Sequence, residues 1–260
     1  MSRPSAPRRR PVGIIVLAVV VVLLLVVVAG LLINRATTGT STGSTTTSAP
    51  ATTSTSARPT TSAGCPATPG VTTPAGADVR EVVDVDGDGR PDKAWLTGGA
   101  DRRFGITTAS GATFSAAIGS ASPLPAAAVV GVVQGDQPIA LVDLGREALL
   151  YSLHGCAVTA PANAQGAPYT FDRGFGDAGT GVGCSQDGAV LRLAGLDAVQ
   201  AADKTYTVTR TWVDLSKDGR KATNGAKATV ATGAAGTEAV VTTAQEVTMN
   251  IFAAAEHVQP

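Results

Sequence analysis

Acidic residues are missing from the first 77 positions, and that absence divides the chain in two. Arg3, Arg8, Arg9, Arg10, Arg35 and Arg58 are the only charges there, while all twenty acids lie from Asp78 onward. The formal net charge of zero is therefore an average of unlike parts: from Asp78 onward fourteen basic residues face twenty acidic ones, a net charge of −6. An acidic domain with scattered Lys and Arg excludes a nucleic-acid partner, whose affinity rests on neutralising phosphates. Aromatics make up only 4% of the chain, which leaves little for the sugar platform of a glycosidase. His154 and His257 are the only histidines, too few for a zinc cluster. The glycine-rich stretch Gly174 to Gly183 is followed by neither Lys-Ser/Thr nor a helix, so it is no phosphate loop. No serine elbow is present, and helix-length amphipathic patterns are scarce.

What is there begins with an address. A basic tail, residues 1–11, precedes an uninterrupted apolar run, residues 12–33, that makes a helix of about 33 Å against a hydrocarbon core of about 30 Å. The arginines before it put the N-terminus in the cytoplasm and the rest outside. A cleaved signal ending near Val27-Val28-Ala29 is the rival, but its apolar region is long for that purpose. A retained single-pass anchor is the expectation, with the membrane as first partner. Residues 34–76, nearly all Thr, Ser, Ala, Gly and Pro, cannot build a core and read as a disordered stalk. Its flexible part has a reach on the order of 30 Å.

Residues 77–252 read as one exported β-rich domain, followed by a tail, residues 253–260. Short runs rich in Val, Ile, Thr and aromatics recur between turn residues: Phe104 to Thr108, Thr113 to Ile118, Ala127 to Val133, Ile139 to Val142, Ala148 to Ser152 and Ala189 to Leu193. In Thr205 to Val213 the period is two, with Tyr206, Val208 and Trp212 on one face and threonines on the other. Arg210, on the apolar face, is expected to snorkel. Ala239 to Met249 suits strand or helix. The fold expectation is all-β: a sandwich, an open barrel or partial propeller-like sheets, since a full propeller needs visible repeats.

One segment carries chemistry. Asp84-Val85-Asp86-Gly87-Asp88-Gly89-Arg90-Pro91-Asp92 puts carboxylates at positions one, three, five and nine of a short loop. Calcium takes six to eight oxygens, and alternate residues of a tight loop turn Asp84, Asp86 and Asp88 toward one centre. Gly89 permits the bend, the Arg90 carbonyl adds a backbone oxygen and Asp92 closes the shell. An EF-hand is excluded because position twelve is Trp95 rather than Glu and the flanks, Val79 to Val83 and Lys93 to Thr97, read as strands. This D-x-D-G-D-G-x-x-D loop between two strands, covering Val82 to Gly98, resembles the calcium-binding repeat of the FG-GAP and VCBS families. The resemblance implies that the four acids are ligands of a structural Ca2+. The chain departs from those families in having no second copy: Asp214-Leu215-Ser216-Lys217-Asp218-Gly219 opens similarly but reaches Ala222 at position nine, and reads as a hairpin turn.

Three cysteines on the exported side leave three possible pairings. Cys156 and Cys184, both inside the folded region, are the expected bridge, and Cys65 is left at the border of the stalk. A bridged Cys184 offers no thiolate to His154, so that pair is no nucleophile and base. The stretch Leu153 to Asn224 also resembles uncharacterised exported proteins of high-GC Gram-positive bacteria that carry one such loop, a resemblance that supplies no activity. The functional expectation is a membrane-anchored, calcium-stabilised binding or structural module for a cell-envelope protein or glycan. Its rival is a hydrolase using Asp143, Glu147, Asp172 or Asp177, which requires those acids to converge in a cleft.

Overall fold

The computed structural model describes residues 64–174, 180–249 and 257–258. The basic tail, the apolar run 12–33, the stalk up to residue 63, Asp177 and most of the C-terminal tail lie outside them. Among the described residues no helix is long and apolar enough to cross a membrane.

The fold is all-β, built from three consecutive antiparallel meanders. The first is β1 (Asp78–Val82), β2 (Asp92–Leu96), β3 (Arg103–Thr107) and β4 (Thr113–Ala117), in that order across the sheet. β5 (Ala127–Val133), β6 (Gln137–Asp143), β7 (Glu147–Ser152) and β8 (Thr170–Asp172) form the second in the same manner. The third comprises β9 (Thr180–Asp187), β10 (Val190–Gln200), β11 (Tyr206–Leu215) and β12 (Ala222–Ala234). One short helix, α1 (Ala239–Thr243), follows. The expected tail is partly a strand, because β13 (His257–Val258) pairs antiparallel with β5 at the edge of the second sheet.

Side-chain alternation explains how the sheets stack. On the second sheet Ala128, Val130, Ala140, Val142, Leu149 and Tyr151 face one way and join a core with Leu96, Phe104 and Ile106 of the first sheet. Val129, Val133, Ile139, Leu141, Ala148 and Leu150 face the other way and meet Val182, Leu193 and Val213 of the third. A sheet covered on both faces has no polar side to display, so β6 is buried from Gln137 to Val142 and reads as a continuous apolar run. The outer end of the third sheet is closed by α1, where Val241 and Ala244 pack on Ala198, Tyr206 and Val208.

Two expectations about the domain border change. Residues 64–76 belong to the fold rather than to the stalk: the Thr68 N–H donates to the Gly111 carbonyl at 3.2 Å, and the Thr73 hydroxyl meets that of Thr107 at 2.8 Å. Threonines that look like spacer in composition therefore act as hydrogen-bonding partners for the turn and strands beneath them. The bridge is also different, since Cys65 pairs with Cys156 and Cys184 is a free, buried thiol whose Sγ lies 3.6 Å from Met249 Sδ. Cys184 is held in β9, opposite Leu193, on the face turned into the apolar core.

Glycines on β9 have a packing reason. A Cβ on Gly181 would lie 2.5 Å from the Thr243 carbonyl oxygen, and one on Gly183 2.9 Å from that of Thr248. The segment after α1 lies against this edge, with the Val182 N–H donating to the Glu246 carbonyl at 2.9 Å. The glycine-rich stretch is thus in part a strand with a close backbone neighbour, not only a loop.

Candidate metal centre

The connection between β1 and β2 bends because Gly87 and Gly89 both adopt positive φ, 76° and 86°, where residues with a Cβ are disfavoured. The alternate acids of this bent loop turn inward. One carboxylate oxygen from each of Asp84, Asp86 and Asp88 lies within 4.8 Å of the others. Asp84 organises the loop: Oδ1 accepts the N–H of Gly87 at 2.7 Å and Oδ2 that of Gly89 at 2.7 Å.

Asp86 is fixed from outside the loop. Its Oδ2 accepts the Cys65 N–H at 2.7 Å and the Ser110 hydroxyl at 3.3 Å. Ser110 Oγ lies 2.5 Å from the Cys65 carbonyl oxygen, so one residue of the β3–β4 turn ties both partners together. Gly64 approaches so closely that a Cβ there would lie 2.8 Å from Asp86 Oδ2. Because Cys65 is bonded to Cys156, the disulfide anchors the segment that caps the carboxylate loop. Cys65 was visible as a cysteine, but Gly64 and Ser110 carried no sequence signal, since their contact with Asp86 is tertiary.

Asp88 carries a different burden. Its Oδ2 takes both Nη2 of Arg90, at 2.7 Å, and Nε, at 3.1 Å. That hydrogen-bonded guanidinium holds the Asp88 carboxyl below its ordinary value and raises Arg90 in return. The Arg90 contacts in the loop thus run through its guanidinium and its N–H, which donates to Asp88 Oδ1 at 2.8 Å.

Asp92 stands apart from the three gathered acids. It is fully buried, and its two oxygens accept the N–H of Val85 at 2.8 Å and of Ala109 at 2.8 Å. Burial raises its pKa, against the lowering effect of those two amides. Asp92 therefore pins the start of the loop to the β3–β4 turn.

A cleft of about 370 Å³ opens beside the loop, lined by Asp84, Asp86, Asp136, His154 and the Cys65–Cys156 bridge. It joins the β1–β2 connection to the β5–β6 turn of the second sheet. The other acids named from the sequence are placed elsewhere. Asp143 pairs with Arg173 at 2.7 Å, and Asp172 Oδ1 accepts the Gly174 N–H at 2.9 Å. Glu147 lies opposite Asp172 across β7 and β8 and accepts the Ser120 hydroxyl. The Asp218 segment is the expected hairpin turn, with the Gly219 N–H donating to the Ser216 carbonyl at 2.8 Å. No family model, curated protein or solved structure matches this chain.

Proposed function

We propose that this chain is a membrane-anchored extracytoplasmic binding or structural module, whose three meanders form a partial propeller-like stack stabilised by Ca2+. The observation that carries the reading is the gathering of Asp84, Asp86 and Asp88 on one glycine-bent loop. Three hard oxygen donors at this separation suit a cation that takes long, flexible oxygen coordination. The Arg90 carbonyl would add a backbone oxygen, as the FG-GAP and VCBS resemblance implies, while Asp92, set apart and holding two amide N–H groups, would pin the loop rather than close the shell. Bound metal would offset the repulsion among the acids and lock β1 to β2. The apolar run 12–33 supplies the anchor, and the Ser/Thr stalk sets the domain away from the membrane. An envelope protein or glycan is the partner class for such a display. A hydrolase would need free, convergent carboxylates, whereas Asp143 is engaged by Arg173 and Asp172 by a turn amide.

Thermal unfolding of the full chain with 2 mM calcium and with chelator tests the metal. Extracellular modules bind at about 10⁻⁴ to 10⁻³ M, so a Kd at the tight end of that range gives about 1.8 kcal/mol, a rise in midpoint of about 4–7 °C. Asp86→Ala is expected to abolish the calcium response. A midpoint indifferent to calcium in the wild-type chain removes the metal from the reading.

A further inference from the structure

The second sheet carries a groove that the carboxylate loop does not touch. Two clefts adjoin there, each of about 380 Å³, and both are lined by Tyr169 and Thr170. Each is within the usual range of ligand sites, roughly 300–1,000 Å³. One side is mostly apolar, with Leu149, Tyr151 and Pro168 in its wall and Glu147 as its only charged residue. The other, among the described residues, has no charged residue in its lining and is walled by Asn163, Gln165, Thr223 and Asn224.

The polar groups of that second cleft are only partly used. Asn163 spends its Oδ1 on the N–H groups of Gln165, at 2.9 Å, and Ala167, at 3.1 Å. Asn224 Oδ1 accepts the Tyr169 hydroxyl at 2.5 Å. Gln165, Thr170, Thr223 and Asn224 are exposed and Asn163 is half-buried, so their remaining amide and hydroxyl groups face whatever fills the cleft. Amides and hydroxyls offer donors and acceptors without net charge. A charged ligand would find no counter-charge on this side, and an apolar one would leave these groups unpaired at a cost. Vicinal hydroxyls, which donate and accept together, match them. Tyr169 stands between the clefts in edge contact with Phe171, ring centroids 5.1 Å apart. Of the chain's three tyrosines, Tyr169 is half-buried in this groove, while Tyr151 lies beneath it, 4% exposed and stacked on Phe104.

We infer that the groove bounded by Tyr151, Asn163, Gln165, Tyr169 and Asn224 binds a neutral oligosaccharide. This rests on the reading of the domain as a binding module and supplies its ligand class. The test uses the full chain in lipid nanodiscs and labelled hexasaccharides of glucose, mannose, galactose and arabinose. Hexagalacturonate and an unstructured twelve-residue peptide serve as competing classes. At least one neutral hexasaccharide is expected to bind, and Gln165→Ala and Asn224→Ala are each expected to weaken it at least fivefold. Gln165 is exposed, so its variant is expected to keep the wild-type thermal midpoint. Binding of none of the four, unchanged binding in both variants, or preference for hexagalacturonate or the peptide overturns the inference. The metal is judged separately: a calcium-insensitive midpoint with intact hexasaccharide binding removes the calcium and leaves the groove. A calcium-sensitive midpoint without binding does the reverse.

Discussion

Two connections in this molecule share Asp, Asp and Gly at positions one, five and six and do different things. Asp84 to Asp92 joins β1 to β2, and Asp214 to Ala222 joins β11 to β12. In both, the ninth residue is fully buried, Asp92 in one and Ala222 in the other. Asp92 uses its burial to hold two amide N–H groups, which draws a neighbouring turn against the loop. Ala222 instead enters the apolar core shared by the second and third sheets. The first residues diverge accordingly: Asp84 turns inward on Gly87 and Gly89, whereas Asp214 turns outward to Arg192 at 2.6 Å. The acids gather where positions one, three and five are all aspartate and Gly87 and Gly89 both bend the chain; the second connection has Ser216 at position three, Lys217 at position four and a single glycine.

The sharpest way to break the first connection without touching its acids is to cut the disulfide. Cys65–Cys156 spans 91 positions, and the chain-entropy model assigns such a closure about 4–5 kcal/mol. Cys156→Ser is expected to lower stability by that order, read as the denaturant midpoint. It should also weaken calcium binding, because Asp86 loses the ordered Cys65 N–H that now orients it. Unchanged calcium response in a destabilised Cys156→Ser chain would separate the bridge from the loop and leave it a simple staple.

Next come the reciprocal changes at position nine. Ala222→Asp places a carboxylate in an apolar core with no donor waiting, and is expected to cost about 3–4 kcal/mol or to shift its ionisation by several pH units. Asp92→Ala removes the partner of the buried Val85 N–H and of the more exposed Ala109 N–H, and is expected to cost about 1–3 kcal/mol. Chemical denaturation of both variants in chelator isolates the backbone role from any metal. Equal and small losses in the two would show that position nine is not what distinguishes the loops.

Much of this was legible from the residues. Ala127 to Val133 is a strand at the bounds its apolar run predicts, and Tyr206, Val208, Arg210 and Trp212 do share a face of β11. Arg210 does not simply snorkel, since its guanidinium lies 3.9 Å above the Trp212 ring. What the pattern could not carry is contact across sheets. The bridge partner of Cys156 lies in a segment whose Thr and Pro composition suits a spacer, and its place in the fold depends on meeting Gly111 and Asp86 in space. β8 is only three residues long, too short for a period to register. The acids Asp84, Asp86 and Asp88 were readable because a tight loop brings near neighbours together. Asn163, Gln165 and Asn224 were not, because their groove depends on a long loop and a hairpin start meeting through the bridges of Ala162 with Pro168 and Lys221.

The third sheet holds the mildest test, and it concerns the cysteine left unpaired. Burial pushes the Cys184 thiol up to about 12 from an ordinary 9.0, because the thiolate would sit among Leu193, Val213 and Met249 without a counter-charge. The folded state thus keeps a proton that the unfolded state releases from about pH 9 upward. Stability from this group is complete below that point and lost as pH rises toward 12, at about 1.4 kcal/mol per pH unit. Other groups titrate in the same range, so the quantity to measure is the difference between the wild-type chain and Cys184→Ala from pH 8 to 11. The variant is expected to lose a small, constant amount for the cavity at pH 8 and to overtake the wild type as alkali ionises the unfolded thiol. Alkylation follows the same reasoning: Cys184 should resist iodoacetamide in the folded chain at pH 8 and react once denaturant opens the core. Rapid labelling without denaturant would mean that β9 opens locally at a free energy well below that of global unfolding.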